Sequence, residues 1–126
     1  MKYVVLVGRF FYSLIFILAS FGHFSKGTIQ YAASHGVPLA EILVPLSGIM
    51  AFLGGVSILL GYKAKLGAWV LVLFLIPVTF MMHQFWIFQD PIAATNEKIM
   101  FMKNLSLLGT AFLLTYFGSG PLSLKH

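Results

Sequence analysis

Four long apolar runs, roughly residues 3–24, 39–61, 66–88 and 99–117, occupy nearly all of this chain, and ionisable side chains sit inside them. Crossing about 30 Å of hydrocarbon as a helix takes about 20 residues, and each run reaches that length. Lipid offers no hydrogen bonds, so a spanning segment is a helix or part of a closed barrel. The short alternating segments of a barrel are absent. The runs predict an all-α integral membrane four-helix bundle, with residues 1–126 forming a single transmembrane domain. A charge inside the bilayer is costly to keep, so the ionisable residues within the runs are the first pointers to function.

Only 9% of the residues are charged, against about 25% in a soluble domain. The net charge is +5, but the eight Lys and Arg residues are dispersed, with no basic face or arm. That excludes nucleic acid as the natural partner. It leaves the lipid bilayer, whose anionic headgroups suit Lys2, Lys63, Lys65 and Lys125. The chain has no cysteine, which rules out disulfides, thiol redox chemistry, Fe–S clusters and covalently attached haem. The start at Lys2 resembles a signal peptide, but the run's length and Arg9 favour an uncleaved span. No nucleophile–base motif, phosphate loop or carboxylate pair is present, so self-contained hydrolysis or phosphoryl transfer is not expected.

Charge distribution gives an orientation. Lys2, Lys63, Lys65 and Lys125 mark the two ends and the middle link, without an acid among them. The positive-inside rule places both termini and the Tyr62–Lys65 link in the cytoplasm. Tyr3, Tyr62, Trp69 and Tyr116 then fall at the inner interface and Trp86 at the outer one. Trp69 and Trp86 are about 26 Å apart along a continuous helix. The first outer link, Lys26 to Pro38, predicts a short helix lying on the membrane surface, capped by Thr28 and ended by Gly36. The second, Gln89 to Asn96, reads as a turn around Asp90-Pro91. Ser47, Ala51 and Gly55, widened by Gly48 and Gly54, form a small-residue stripe suited to close helix packing. Pro77 predicts a kink and a freed carbonyl in the third span.

Arg9, Ser13, Phe16, Ser20 and His23 share one face of the first span. Lys103, Ser106 and Thr110 share a face of the fourth. His83 and Gln84 sit near the outer end of the third. His23, His83, Gln84, Lys103 and Asn104 thus fall at similar depth and are expected to converge on a polar pocket, with Phe85 and Trp86 as aromatic packing candidates. Arg9 either snorkels to inner headgroups or joins the ligand-binding candidates. Lys103 reads equally as half of an ion pair with Glu41 or Glu97 and as a ligand-binding cation. Two isolated histidines are thin support for axial haem ligation. Without a carboxylate–histidine spacing, no metal site is expected.

Several stretches match one family in order and spacing. Gly22-His23-Phe24-Ser25-Lys26, Tyr31 and Gly36-Val37-Pro38-Leu39-Ala40 resemble the first outer link of DoxX-like membrane proteins. Pro45-Leu46-Ser47-Gly48, Leu53-Gly54-Gly55 and Leu60-Gly61 resemble their second span. Lys103-Asn104-Leu105-Ser106-Leu107-Leu108-Gly109 resembles their fourth, and Gly118-Ser119-Gly120-Pro121-Leu122-Ser123-Leu124 their closing motif. The resemblance implies a four-helix protein of the bacterial inner (cytoplasmic) membrane. Some relatives are subunits of quinone-linked oxidoreductases such as thiosulfate:quinone oxidoreductase. This chain has Ala51 where the family often has Glu, and Lys125 where it often has Asp. The missing Glu removes a carboxylate from the bundle centre.

Three functions follow as expectations. The first is a membrane subunit of a redox-associated complex that binds quinone or another lipid-soluble molecule. Quinone carbonyls would take donors from His23, His83 or Lys103, the ring would pack on Phe85 and Trp86, and a protein partner would supply electrons. The second is a small transporter or permeability factor acting as a homo-oligomer, with Arg9 and Lys103 at the two ends of an anion path. The third is a non-catalytic scaffold. An apolar cleft open to lipid favours the first, a continuous polar channel the second and a packed core the third.

Overall fold

The first apolar run becomes α1 (Lys2–Gly22) in a computed structural model, which describes residues 2–118 and 120. Lys125 and most of the closing motif lie outside the described residues. Arg9, Ser13, Phe16 and Ser20 are all buried on one face of α1. The two serines satisfy their hydroxyls locally, Ser13 donating to the Arg9 carbonyl at 2.7 Å and Ser20 to the Ile17 carbonyl at 2.6 Å. This is how helix serines escape an unpaired hydroxyl in an apolar setting.

A turn leads into α2 (Lys26–Ser34). Its cap is Ser25, whose hydroxyl accepts from the Thr28 N–H at 3.2 Å. The cap expected at Thr28 is thereby corrected by one turn, because Ser25 holds the extended backbone (φ −81°, ψ 145°) that an N-cap requires. Gly36 follows with φ +85°, a left-handed turn that glycine adopts without penalty. The second run forms α3 (Ala40–Leu60). Gly61 ends it with φ 69°, and Ser57 Oγ donates to the Tyr62 carbonyl at 2.6 Å. The chain then reverses directly into α4 (Ala64–Met82), which continues through Pro77.

Two boundaries differ from the sequence reading. The third apolar run stays helical only to Met82; His83 leaves helical geometry at φ −126°, ψ 54°, and a single 3₁₀ turn spans Phe85–Ile87. His83, Gln84, Phe85 and Trp86 therefore lie beyond the helix rather than within it. Apolarity continues past Met82 because Phe85 and Trp86 pack edge-to-face on Phe101, with centroids 5.4 Å and 5.8 Å away. The last helix, α5 (Pro91–Phe117), begins well before residue 99. The Asp90-Pro91 pair read as a turn is a helix start: Asp90 accepts from the Ile92 N–H at 3.3 Å, and proline at the first position needs no donor.

α1, α3, α4 and α5 are each long and apolar enough to cross a membrane. α1 packs on α3, α3 on α4 and α4 on α5, while α2 lies against α3. α3 runs antiparallel to α1 and to α4, and its glycines serve both of these sides. A Cβ at Gly48 would come within 2.7 Å of the His23 Cβ, and one at Gly54 within 2.7 Å of the Leu71 Cδ2. Backbones this close give the dispersion contact that replaces the hydrophobic effect inside lipid. Phe16, Ala51, Ile58, Ala68, Leu71, Leu75 and Ala111 form the packed centre. α1 and α5 touch sparingly, joined by a Tyr12 hydroxyl that donates to the Leu107 carbonyl at 2.7 Å.

Candidate functional site

A cavity of about 400 Å³ lies between α3 and α4 at the end covered by α2. Its roof comes from α2 and the link after it, through Ala32, Val37 and Pro38. Its walls include Val44 and Met50 of α3 and Phe74, Pro77 and Met81 of α4. Leu46 and Leu73 also line it and are 47% and 63% exposed. The cavity therefore opens sideways, through the surface that faces acyl chains when the four helices are in a bilayer. Pro77 has no N–H for the carbonyl of Leu73, so one acceptor in this wall loses its helical partner. The methionines Met50, Met81 and Met82 give a lining able to reshape around a ligand.

His23 and His83 both line this cavity. Ser47 Oγ donates to the Val44 carbonyl at 2.6 Å. Its single hydrogen is thus committed, and the 2.8 Å contact with His23 Nδ1 has the imidazole N–H donating to the serine oxygen. His83 Nδ1 lies 2.9 Å from Glu97 Oε2 and donates to that carboxylate. In both neutral rings the remaining nitrogen, Nε2, is then an acceptor. The sequence reading had these imidazoles donating to quinone carbonyls. The hydrogen-bond network reverses the sense for the neutral forms, because Ser47 and Glu97 take the ring protons first.

Glu97 also acts on α2. Burial first, and then the Glu97 charge, push the Tyr31 phenol above its ordinary value, so it stays a protonated donor at neutral pH. The Tyr31 ring lies 4.4 Å from that of His35. Six positions apart on α5, Glu97 and Lys103 leave the helix about 240° apart, and no ion pair of Lys103 with Glu97 or Glu41 is found among the described residues. The Lys103 ammonium instead lies 3.8 Å from the Met100 sulfur.

The other expected site residues are distributed elsewhere. Gln84, Lys103 and Asn104 are not among the residues lining this cavity. Asn104 is buried on α5 with Leu108 and Ala111. Phe85 and Trp86 pack on Phe101. Arg9 lines a second cavity, of about 430 Å³, between α1 and α5 at the opposite end of the bundle. Ser47 was read only as a packing residue. Its role depends on which helix faces it, and nothing local to Ser47 announces His23. The paired Met81 and Met82 beside Pro77 were a usable sign of a deformable wall.

Four spanning-length helices, with one cavity open to the side and another at the far end, define a small polytopic membrane protein. The DoxX family profile matches residues 4–84, and the chain belongs to the DoxX family. It is 33% identical over 124 residues to inner membrane protein YqjF of Escherichia coli (strain K12), covering 97% of this chain and 89% of that one. It is 28% identical over 125 residues to inner membrane protein YphA of the same organism, covering 98% and 89%. No solved structure matches it.

Proposed function

We propose that this chain is an inner-membrane subunit of a redox-associated complex and that the cavity under α2 holds a quinone head group. The observation that carries this reading is the apolar cavity opening between α3 and α4, with two imidazoles at its α2 end. A volume of about 400 Å³ falls in the range of small-molecule sites, which are mostly apolar with a few placed polar groups. A lateral mouth lets a lipid-soluble ligand enter from the membrane. The two Nε2 acceptors suit the hydroxyls of the reduced, quinol form. Electrons would come from a protein partner, since no motif for a tightly bound redox group is present in the chain.

The same reading places α2 at the outer membrane surface and both termini in the cytoplasm, on the strength of the basic residues Lys2, Lys63 and Lys65 at one end. The transport reading draws less support. Among the described residues the two cavities share no lining residue, and the packed centre around Phe16, Ala51 and Leu71 lies between them.

The test is purification from native membranes in mild detergent, followed by solvent extraction and mass spectrometry for quinones. The wild type should retain quinone well above an unrelated four-span protein handled in parallel. Met50→Trp, which fills the cavity, should lose most of it. Equal quinone in the unrelated protein would overturn the reading.

A further inference from the structure

We infer that the outward face of α5 docks a transmembrane helix of a different membrane protein, and that Lys103 receives a carboxylate from that helix. This holds whether or not the cavity under α2 takes quinone. α5 packs on α4 and buries the side that carries Asn104, Leu108 and Ala111. On the opposite side of the helix Ile99, Met102, Ser106 and Leu113 are exposed, and Lys103 stands half-buried at the edge of that face. Lipid covers a purely apolar face at no cost. It does not satisfy an ammonium, which is retained within a span only against a penalty and calls for a partner of opposite charge.

Lys103 stands about 7 Å further along α5 than Lys98, inside the apolar stretch rather than at its rim. Its side chain leans back one turn, as helix side chains do, and the ammonium ends 3.8 Å from the Met100 sulfur. A thioether is a weak acceptor, and among the described residues no carboxylate pairs with this lysine. Thr110 offers no further donor, because its hydroxyl is given to the Ser106 carbonyl at 3.2 Å. Ser106 is small and exposed, so a helix can approach closely beside the lysine. The chain's own charges decide which helix. Its acidic side chains are Glu41, Asp90 and Glu97, and none lies within residues 99–117. Glu97 is paired with His83, Asp90 caps the start of α5, and Glu41 sits in the first turn of α3. Two copies meeting through this face about a two-fold axis would set Lys103 against Lys103 at one depth. A second copy is therefore repelled where an acidic helix is attracted.

The test places the full chain in phosphatidylcholine vesicles with a synthetic leucine-rich transmembrane peptide that lacks tryptophan and carries a dansyl group. One version has a single Glu at the depth of Lys103, and the control has Leu there. Energy transfer from the native Trp69 and Trp86 to the dansyl group reads association. The Glu peptide should half-saturate the wild type at a peptide-to-lipid ratio roughly tenfold below that of the Leu peptide, the order of one charge-assisted hydrogen bond. Lys103→Leu should remove the advantage of the Glu peptide. Lys103→Arg should keep it, which separates loss of the charge from loss of the fold. Ser106→Leu should weaken it by holding the helix away, and Lys98→Gln, in the turn above, should leave it intact. Equal association of the two peptides with the wild type overturns the proposal. So does an advantage that survives Lys103→Leu, or one lost only in Lys98→Gln, which would make the binding a general attraction to interfacial charge. Self-association of the wild type that the Glu peptide cannot displace would give the face to a second copy and overturns the proposal as well.

Discussion

Ser47 fixes the orientation of His23 by giving its own hydrogen to the Val44 carbonyl and accepting from the imidazole at 2.8 Å. Ser47→Ala should therefore cost about 1 kcal/mol, the ordinary worth of a part-buried hydrogen bond, measurable as a lower midpoint in detergent unfolding. It should also weaken quinone retention, since the ring is freed to turn. Lys103→Met makes the contrasting case. Its ammonium lies beside Met100, and it does not line the cavity, so quinone retention should stay at the wild-type level. A matched loss in both variants would show that the cavity residues alone do not set binding. At this scale the sequence announced the buried side of α1, because Arg9, Ser13, Ser20 and His23 repeat with helical spacing. It did not announce which groups across the bundle they meet. His23 finds Ser47, and His83 finds Glu97, through the antiparallel packing of separate helices, and no spacing along the chain encodes that.

Among the elements, the spans were legible because hydrocarbon demands length and apolarity in one continuous stretch. Their ends were not, because apolarity does not distinguish a helix from a stacked aromatic turn. Phe85, Trp86 and Ile87 read as helix and form a 3₁₀ turn on Phe101. Asp90-Pro91 read as a turn and starts a helix. The cap of α2 supports a further expectation. Ser25→Ala removes the acceptor for the Thr28 N–H and should cost α2 about 1 kcal/mol. Hydrogen exchange should then speed up in residues 26–34 while α3 and α4 remain protected. On α3, Gly48→Leu forces a side chain into the space held by the His23 Cβ. Overpacking of this kind costs about 1–3 kcal/mol, and it should lower the unfolding midpoint while displacing the histidine from the cavity.

For the whole molecule, the absence of cysteine makes topology directly testable. Single-cysteine variants Lys2→Cys and Lys63→Cys should react with a membrane-impermeant reagent only in inside-out vesicles, and Lys26→Cys only in right-side-out ones. Labelling of positions 2 and 63 on opposite sides would contradict the four-span arrangement. Tyr12 matters at this scale too, because it ties the first long helix to the last across 95 positions of sequence. α5 is the last of these helices to be synthesised, so this tie cannot form while α1, α3 and α4 are the only ones inserted. The closure of α1 on α5 through Tyr12 therefore waits for the last helix, so it is the end of the chain that completes the packing of its beginning.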